Sequence, residues 1–246
     1  MSKIKKNKKK IVVTGGSGRF GTCLKQNTGK YQIFFPTKTR LNITNLGSIK
    51  KYLMKIKPYY LIHLAGLSRP MELHDKNISK SLDLNIIGTV NIVKICELLK
   101  IKLIYFSTSY VYPGTKGNYK ENDPLLPVNN YAWSKLGGES AVQMYKNSLI
   151  LRVCMTEKPF IHKYAFADVL TNFIYHEDLV KIFLKLINKK GIINIGGPTQ
   201  TVYNFAKKEN PNVKKIYAKK IKKLKFPLNS SMNLKKLKTK LGKKLW

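Results

Sequence analysis

The chain has 246 residues, 43% of them hydrophobic, enough for one large α/β domain or a large domain with a small lobe, which excludes a disordered or fibrous protein. Lys and Arg number 47 against 12 Asp and Glu, a net charge of +35, but the excess is lysine spread along the chain with abundant Asn and Ile, the bias that AT-rich codons produce. Arginine, the better reader of bases, occurs only at Arg19, Arg40, Arg69 and Arg152, so specific nucleic-acid binding ranks last among the functions considered, and the clusters Lys3 to Lys10 and Lys214 to Lys244 would attract polyanions only non-specifically.

In chain order, the basic start MSKIKKNKKK is followed by only Ile11-Val12-Val13, far short of the roughly 7 to 15 apolar residues of a signal-peptide core. No later stretch approaches the ~18 of a membrane span, so a cytoplasmic protein without a span is expected. Ile11 to Thr14 reads as a strand, followed by a glycine turn and a helix from about Phe20. Ile33 to Phe35 and Tyr60 to Leu64 are further β runs. Leu84, Ile87, Val90, Ile92, Val93, Ile95 and Leu98 then form the apolar stripe of a long helix. Leu103 to Phe106 is a fourth strand, Tyr131 to Lys146 a helix, and Leu149 to Val153 another strand. This alternation predicts an α/β fold, a Rossmann-type doubly wound parallel sheet. Cys23, Cys96 and Cys154 lack C-x-x-C spacing and are expected to be buried thiols, with no metal site.

Gly15, Gly18 and Gly21 in GGSGRFG give the spacing GxxGxxG directly after the first strand. Such a turn lets backbone N–H groups approach a pyrophosphate, so Gly15, Ser17, Gly18, Arg19, Phe20 and Gly21, with Leu64, Ala65 and Gly66 at the end of a neighbouring strand, are candidate cofactor-binding residues. After the second strand, where NAD-binding chains often carry an acid for the ribose, the segment Pro36 to Asn42 has none. Lys38 and Arg40 there suit a 2′-phosphate, so NADP(H) is favoured over NAD(H).

In YAWSK, Tyr131 and Lys135 are four residues apart and share one helix face. A nearby cation lowers a phenol's pKa, as proton exchange near neutral pH requires. The strand end Ser107-Thr108-Ser109 supplies a second hydroxyl at the edge where open α/β sheets bind ligands.

With these motifs the chain resembles the extended short-chain dehydrogenase/reductase family, and within it the dTDP-4-dehydrorhamnose reductases and GDP-fucose synthases. The resemblance runs through TGGSGRFG, LIHLAG, NIIGTVNIV, STSYVY, ENDPLLPVNNYAWSK with Glu121, Pro124 and Pro127, then IYHEDLVK, GIINIGG and PLNSSMNLKKL. It implies hydride transfer from a nicotinamide to the ketone of a UDP- or dTDP-linked 4-keto-6-deoxy sugar in deoxysugar nucleotide synthesis. Thr108, Tyr131 and Lys135 would be catalytic, and Tyr131 and Lys135 would also contact the cofactor: Tyr131 gives the proton, Thr108 bonds the same oxygen, and Lys135 holds the nicotinamide ribose and keeps the tyrosine acidic. Related dehydratases carry an acid where Ser109 stands, and epimerising fucose synthases a cysteine where Tyr110 stands, so simple reduction is expected.

Residues 1–153 are expected to form the cofactor-binding domain, rejoined by 174–196, and 154–246 a reduced substrate lobe. Arg152, His162 and Lys163 are candidates for a diphosphate or for structural roles. The expected partners are the nucleotide-sugar substrate and, as an assembly, a second copy in a homodimer. A 4-epimerase of the same fold and a non-enzymatic, reductase-like regulatory subunit are the rival readings.

Overall fold

The structure is a computed structural model that describes residues 8–27, 29–221 and 227–242, so the two lysine clusters fall partly outside the described residues. Six parallel strands form the central sheet: β1 (Lys10–Thr14), β2 (Gln32–Phe34), β3 (Tyr60–His63), β4 (Lys102–Thr108), β5 (Ser148–Val153) and β6 (Gly191–Ile195). Their order across the sheet is β6-β5-β4-β3-β1-β2. This is the Rossmann-like arrangement expected from the alternation, and the order reverses at β1, where crevices open at the carboxyl ends of the strands.

Alternation along each strand sorts the core into two layers. Ile11, Val13, Ile62, Ile104, Phe106, Leu149 and Leu151 face one layer, with α1 (Arg19–Lys25) and α5 (His176–Leu186) packed on it. Val12, Leu61, Leu103, Tyr105 and Ile150 face the other, covered by α2 (Leu46–Ile56), α3 (Gly88–Leu98) and α4 (Asn130–Gln143). Each fully buried Val, Leu or Ile contributes about 1.5–3 kcal/mol, so these layers dominate the stability. α2 was not anticipated, although Leu46, Ile49, Leu53 and Ile56 have helical spacing and Asn45 caps the helix by accepting from the Ser48 amide.

The helix preceding α3 is not regular. Ile78–Ser81 is α-helical, Leu82–Ile87 forms a π-helical turn, and α3 follows. Gly137 and Gly138 of α4 explain how this turn is accommodated. A Cβ at Gly138 would lie 2.5 Å from the Asn85 carbonyl oxygen, and one at Gly137 2.6 Å from Ile86 Cδ1.

The rest of the chain builds a small lobe beside the carboxyl edge of β4 and β5. Its strands are short pairs: Tyr164–Phe166 with Lys214–Ile216, and Leu170–Thr171 with Gln200–Thr201. Phe160, Ala165, Val169, Val202, Ala206, Val213 and Ala218 make its core. The terminal helix Lys235–Leu241 departs from the expected lobe, because Leu234, Leu237 and Leu241 pack into the first sheet layer. No described helix is long and apolar enough to cross a membrane.

Candidate active site

A cleft of about 860 Å³ opens where the carboxyl ends of β1, β3, β4 and β5 meet the lobe. Its floor on one side is the glycine turn. Gly15 has φ +70°, and a Cβ there would lie 2.5 Å from the Ala65 amide nitrogen, so only glycine lets the turn press against the end of β3. A Cβ on Gly21 would be 2.7 Å from Gly16 Cα, which sets how closely α1 approaches the turn. Gly18 donates to the Gly15 carbonyl at 3.0 Å.

Gly15, Gly18, Arg19, Phe20, Gly21, Leu64 and Gly66 line the cleft. Ala65 instead anchors the strand end, its amide donating to Thr14 Oγ1 at 3.3 Å. Ser17 faces a shallow adjoining depression with His176 and Glu157. Lys38 and Arg40 lie on the exposed turn after β2, outside the cleft wall.

Across the cleft, Thr108 ends β4, its hydroxyl accepting from the Tyr110 amide at 3.3 Å, and Tyr131 lies on the first turn of α4; both line the cleft. Burial pushes the Tyr131 phenol above its ordinary pKa, opposed by the Thr108 hydrogen bond and by the positive charge of Arg69. Arg69, in the loop after β3, is a cation whose charge opposes that rise. Lys135 lines the same cleft with its ammonium 4.2 Å above the Tyr105 ring, and burial lowers it to about 7, with Glu139 opposing that shift. His74 packs edge-on against Tyr131 with ring centroids 5.2 Å apart.

Behind these groups lies a layer that sequence reading missed. Glu139, fully buried one turn beyond Lys135, accepts from Arg152 Nη2 at 2.6 Å and from Ser107 Oγ at 2.5 Å. Arg152, a candidate for a diphosphate or for a structural role, takes the second: it is committed to a buried ion pair, and its Nη1 donates to Tyr112 and to the Glu121 carbonyl. From the π turn, Asn85 clamps the loop after β3: its Oδ1 accepts from the Leu67 amide at 2.7 Å and its Nδ2 donates to the Leu67 carbonyl and to Ser134. His63, bridged between Thr14 and Thr89, is lowered to about 3 by burial first and by the Lys135 charge second, so it stays neutral. The signal for Asn85 and His63 lay in the motifs NIIGTVNIV and LIHLAG; a role for each needed the three-dimensional contacts.

The lobe wall carries His162 and Lys163, both expected there, with Phe160, Phe166 and Phe173. Cys154 also faces the cleft, its thiol raised to about 11 by burial and paired with Thr171. At the mouth, Glu157 forms ion pairs with Arg19 and Arg69.

A family model described as the RmlD substrate binding domain matches residues 9–182. The chain belongs to this family. The RmlD-family chain is 26% identical over 200 residues to the dTDP-4-dehydrorhamnose reductase of Aggregatibacter actinomycetemcomitans, covering 77% of this chain and 63% of that one. It is 30% identical over 155 residues to methionine adenosyltransferase 2 subunit beta of Xenopus laevis, covering 59% of this chain and 46% of that one. In sequence, then, it spans about half to two thirds of the length of these relatives, with 46% and 63% covered. The crystal structure of dTDP-4-dehydrorhamnose reductase from Bacillus anthracis str. Ames in complex with NADP superimposes with a TM-score of 0.85 at 24% identity, covering 94% of this chain and 92% of that one. That likeness establishes the fold of the RmlD-family chain over nearly its whole length.

Proposed function

We propose that the chain is an NAD(P)H-dependent reductase of a nucleotide-linked 4-keto-6-deoxy sugar, UDP- or dTDP-linked, acting in deoxysugar nucleotide synthesis. The observation that carries this reading is that Thr108, Tyr131 and Lys135 line one cleft with a glycine turn facing them. The turn fits a dinucleotide: around Gly18 a Cβ would meet only the Gly15 carbonyl oxygen at 3.2 Å, leaving backbone open to close approach by a phosphate. Gly15, Gly18 and Phe20 with Leu64 and Gly66 would hold the dinucleotide, and Lys135 its nicotinamide ribose. When bound, the reduced nicotinamide supplies the hydride for the ketone carbon.

The chain's residues manage the proton. Because burial raises the Tyr131 pKa, the phenol holds its proton at neutral pH and donates it to the sugar oxygen as that oxygen gains charge. Thr108 hydrogen-bonds the same oxygen and fixes the phenol's direction. Lys38 and Arg40 are the first cations after β2, and on them rests a preference for NADPH. The lobe wall would take the nucleotide-linked sugar.

The test is NADPH oxidation by purified protein with freshly generated UDP- and dTDP-4-keto-6-deoxy sugars, each with and without a separate 3,5-epimerase. Tyr131→Phe should lower kcat on the order of 10²- to 10⁴-fold while leaving NADPH affinity intact; an unchanged rate would remove Tyr131 from the mechanism. A second reading, a non-catalytic subunit of another enzyme, is favoured by the likeness to methionine adenosyltransferase 2 subunit beta. Tight NADPH binding with no oxidation by any of these sugars would move the assignment there.

A further inference from the structure

Glu157 sits where three chain segments that are remote in sequence converge. Arg19 begins α1, Arg69 lies in the loop after β3, and Glu157 follows the short strand Met155–Thr156 at the start of the lobe. One carboxylate oxygen, Oε1, meets Nη1 of both arginines, with Arg69 at 3.4 Å. All three side chains line the cleft. The arginine side chains are about half exposed, at 55% and 47%, whereas that of Glu157 is 21% exposed. Among the described residues neither guanidinium pairs with any other carboxylate.

We propose that Arg19 and Arg69 form a two-guanidinium receptor for a diphosphate, which Glu157 fills in the free chain and vacates when the ligand binds. This rests on the reading of the cleft as a dinucleotide and nucleotide-sugar site. Two forked donors converging on a single oxygen match a phosphate better than a carboxylate, because a diphosphate offers more charge and more acceptor oxygens to the same pair. As a tie holding the fold, an ion pair this exposed contributes little. As a like charge inside an anion site, the same carboxylate weighs directly on affinity. His176 faces the group from α5 and is held neutral by burial, so it adds no charge to the balance. The ligand is either the pyrophosphate of the dinucleotide, approached from Arg19, or the diphosphate of the sugar nucleotide, approached from Arg69.

The test measures Kd by calorimetry for NADPH, UDP, dTDP and inorganic pyrophosphate with the wild type, Glu157→Gln, Glu157→Asp and Arg69→Gln, after confirming cooperative unfolding of each. Glu157→Gln should bind at least one diphosphate roughly three- to tenfold more tightly, Glu157→Asp should stay near the wild type, and Arg69→Gln should weaken the same ligand by a similar factor. A change confined to NADPH assigns the receptor to the dinucleotide, and one confined to UDP or dTDP assigns it to the sugar nucleotide. Equal or weaker binding of every ligand by Glu157→Gln overturns the exchange. If that variant does not fold, unchanged affinities in Arg69→Gln overturn it instead. A wild type that binds no dinucleotide but does bind UDP or pyrophosphate would sink the reductase reading while leaving the receptor standing.

Discussion

On the sheet side of the cleft, every residue of β4 and β5 is buried and the two strands pair over six residues. On the lobe side the strands are two or three residues long, and much of the fixing is done by single asparagine side chains bonded to backbone, those of Asn172 and Asn210. The first wall gains its geometry from repeated ladder bonds and apolar layers, so any one contact is backed by its neighbours. The second relies on individual hydrogen bonds, each without a substitute. A rigid wall facing a more locally adjustable one follows from that difference.

The sharpest way to break the contrast is at the buried ion pair behind the sheet wall. Arg152 on β5 pairs with Glu139 and also reaches Tyr112, whose hydroxyl donates to Asn194 on β6. Arg152→Met would leave Glu139 buried without its cation and should lower unfolding free energy by about 3–5 kcal/mol, read from the urea midpoint. Glu139→Gln with Arg152→Met should recover part of that loss. A loss under ~1 kcal/mol in the single variant would show that this ion pair does not hold the sheet wall.

The next effect is confined to the glycine-turn wall and depends on pH. The neutral His63 is lowered from 6.5 to about 3 in the folded chain, so between those values the unfolded chain binds the extra proton. Stability from this residue is therefore complete above pH 6.5 and declines as pH falls toward 3. The expected loss is about 2 kcal/mol by pH ~5, seen as a falling urea midpoint that His63→Gln flattens. An equal slope in the variant would place the acid sensitivity elsewhere.

These two sites also mark what could be read from the chain itself. The parallel sheet was legible because strands buried on both faces are near-continuous apolar runs, such as Tyr60 to Leu64, and because glycine spacing after β1 has a backbone reason. Thr108, Tyr131 and Lys135 were legible as a set because helix and strand periodicity bring them to one edge. Glu139 and Arg152 were not, since a buried ion pair has no pattern of its own in a chain with so many charges. The π turn at Leu82–Ile87 was hidden as well: its apolar stripe looks helical, and only the glycine pair on α4 shows that the turn is packed from outside. Arg69 escaped because it lies in a loop, where spacing carries no direction.

The smallest effect tests the lobe wall alone. Asn172 donates to the Gly197 carbonyl at 2.8 Å and to Thr199, while its Oδ1 accepts from the Met232 amide at 2.5 Å. It thereby ties the end of one short strand to the segment after β6 and to the approach of the terminal helix. Asn172→Ala should remove about 1–2 kcal/mol, because it strands a buried carbonyl and a buried amide without partners. The lobe's connections are local, so the change should concentrate in hydrogen exchange: amides such as Val202 and Met232 should exchange faster, while those of β4 and β5 keep their rates. Uniform acceleration across both walls would mean that the lobe and the sheet open as one unit, and that the asparagines are part of a single cooperative core.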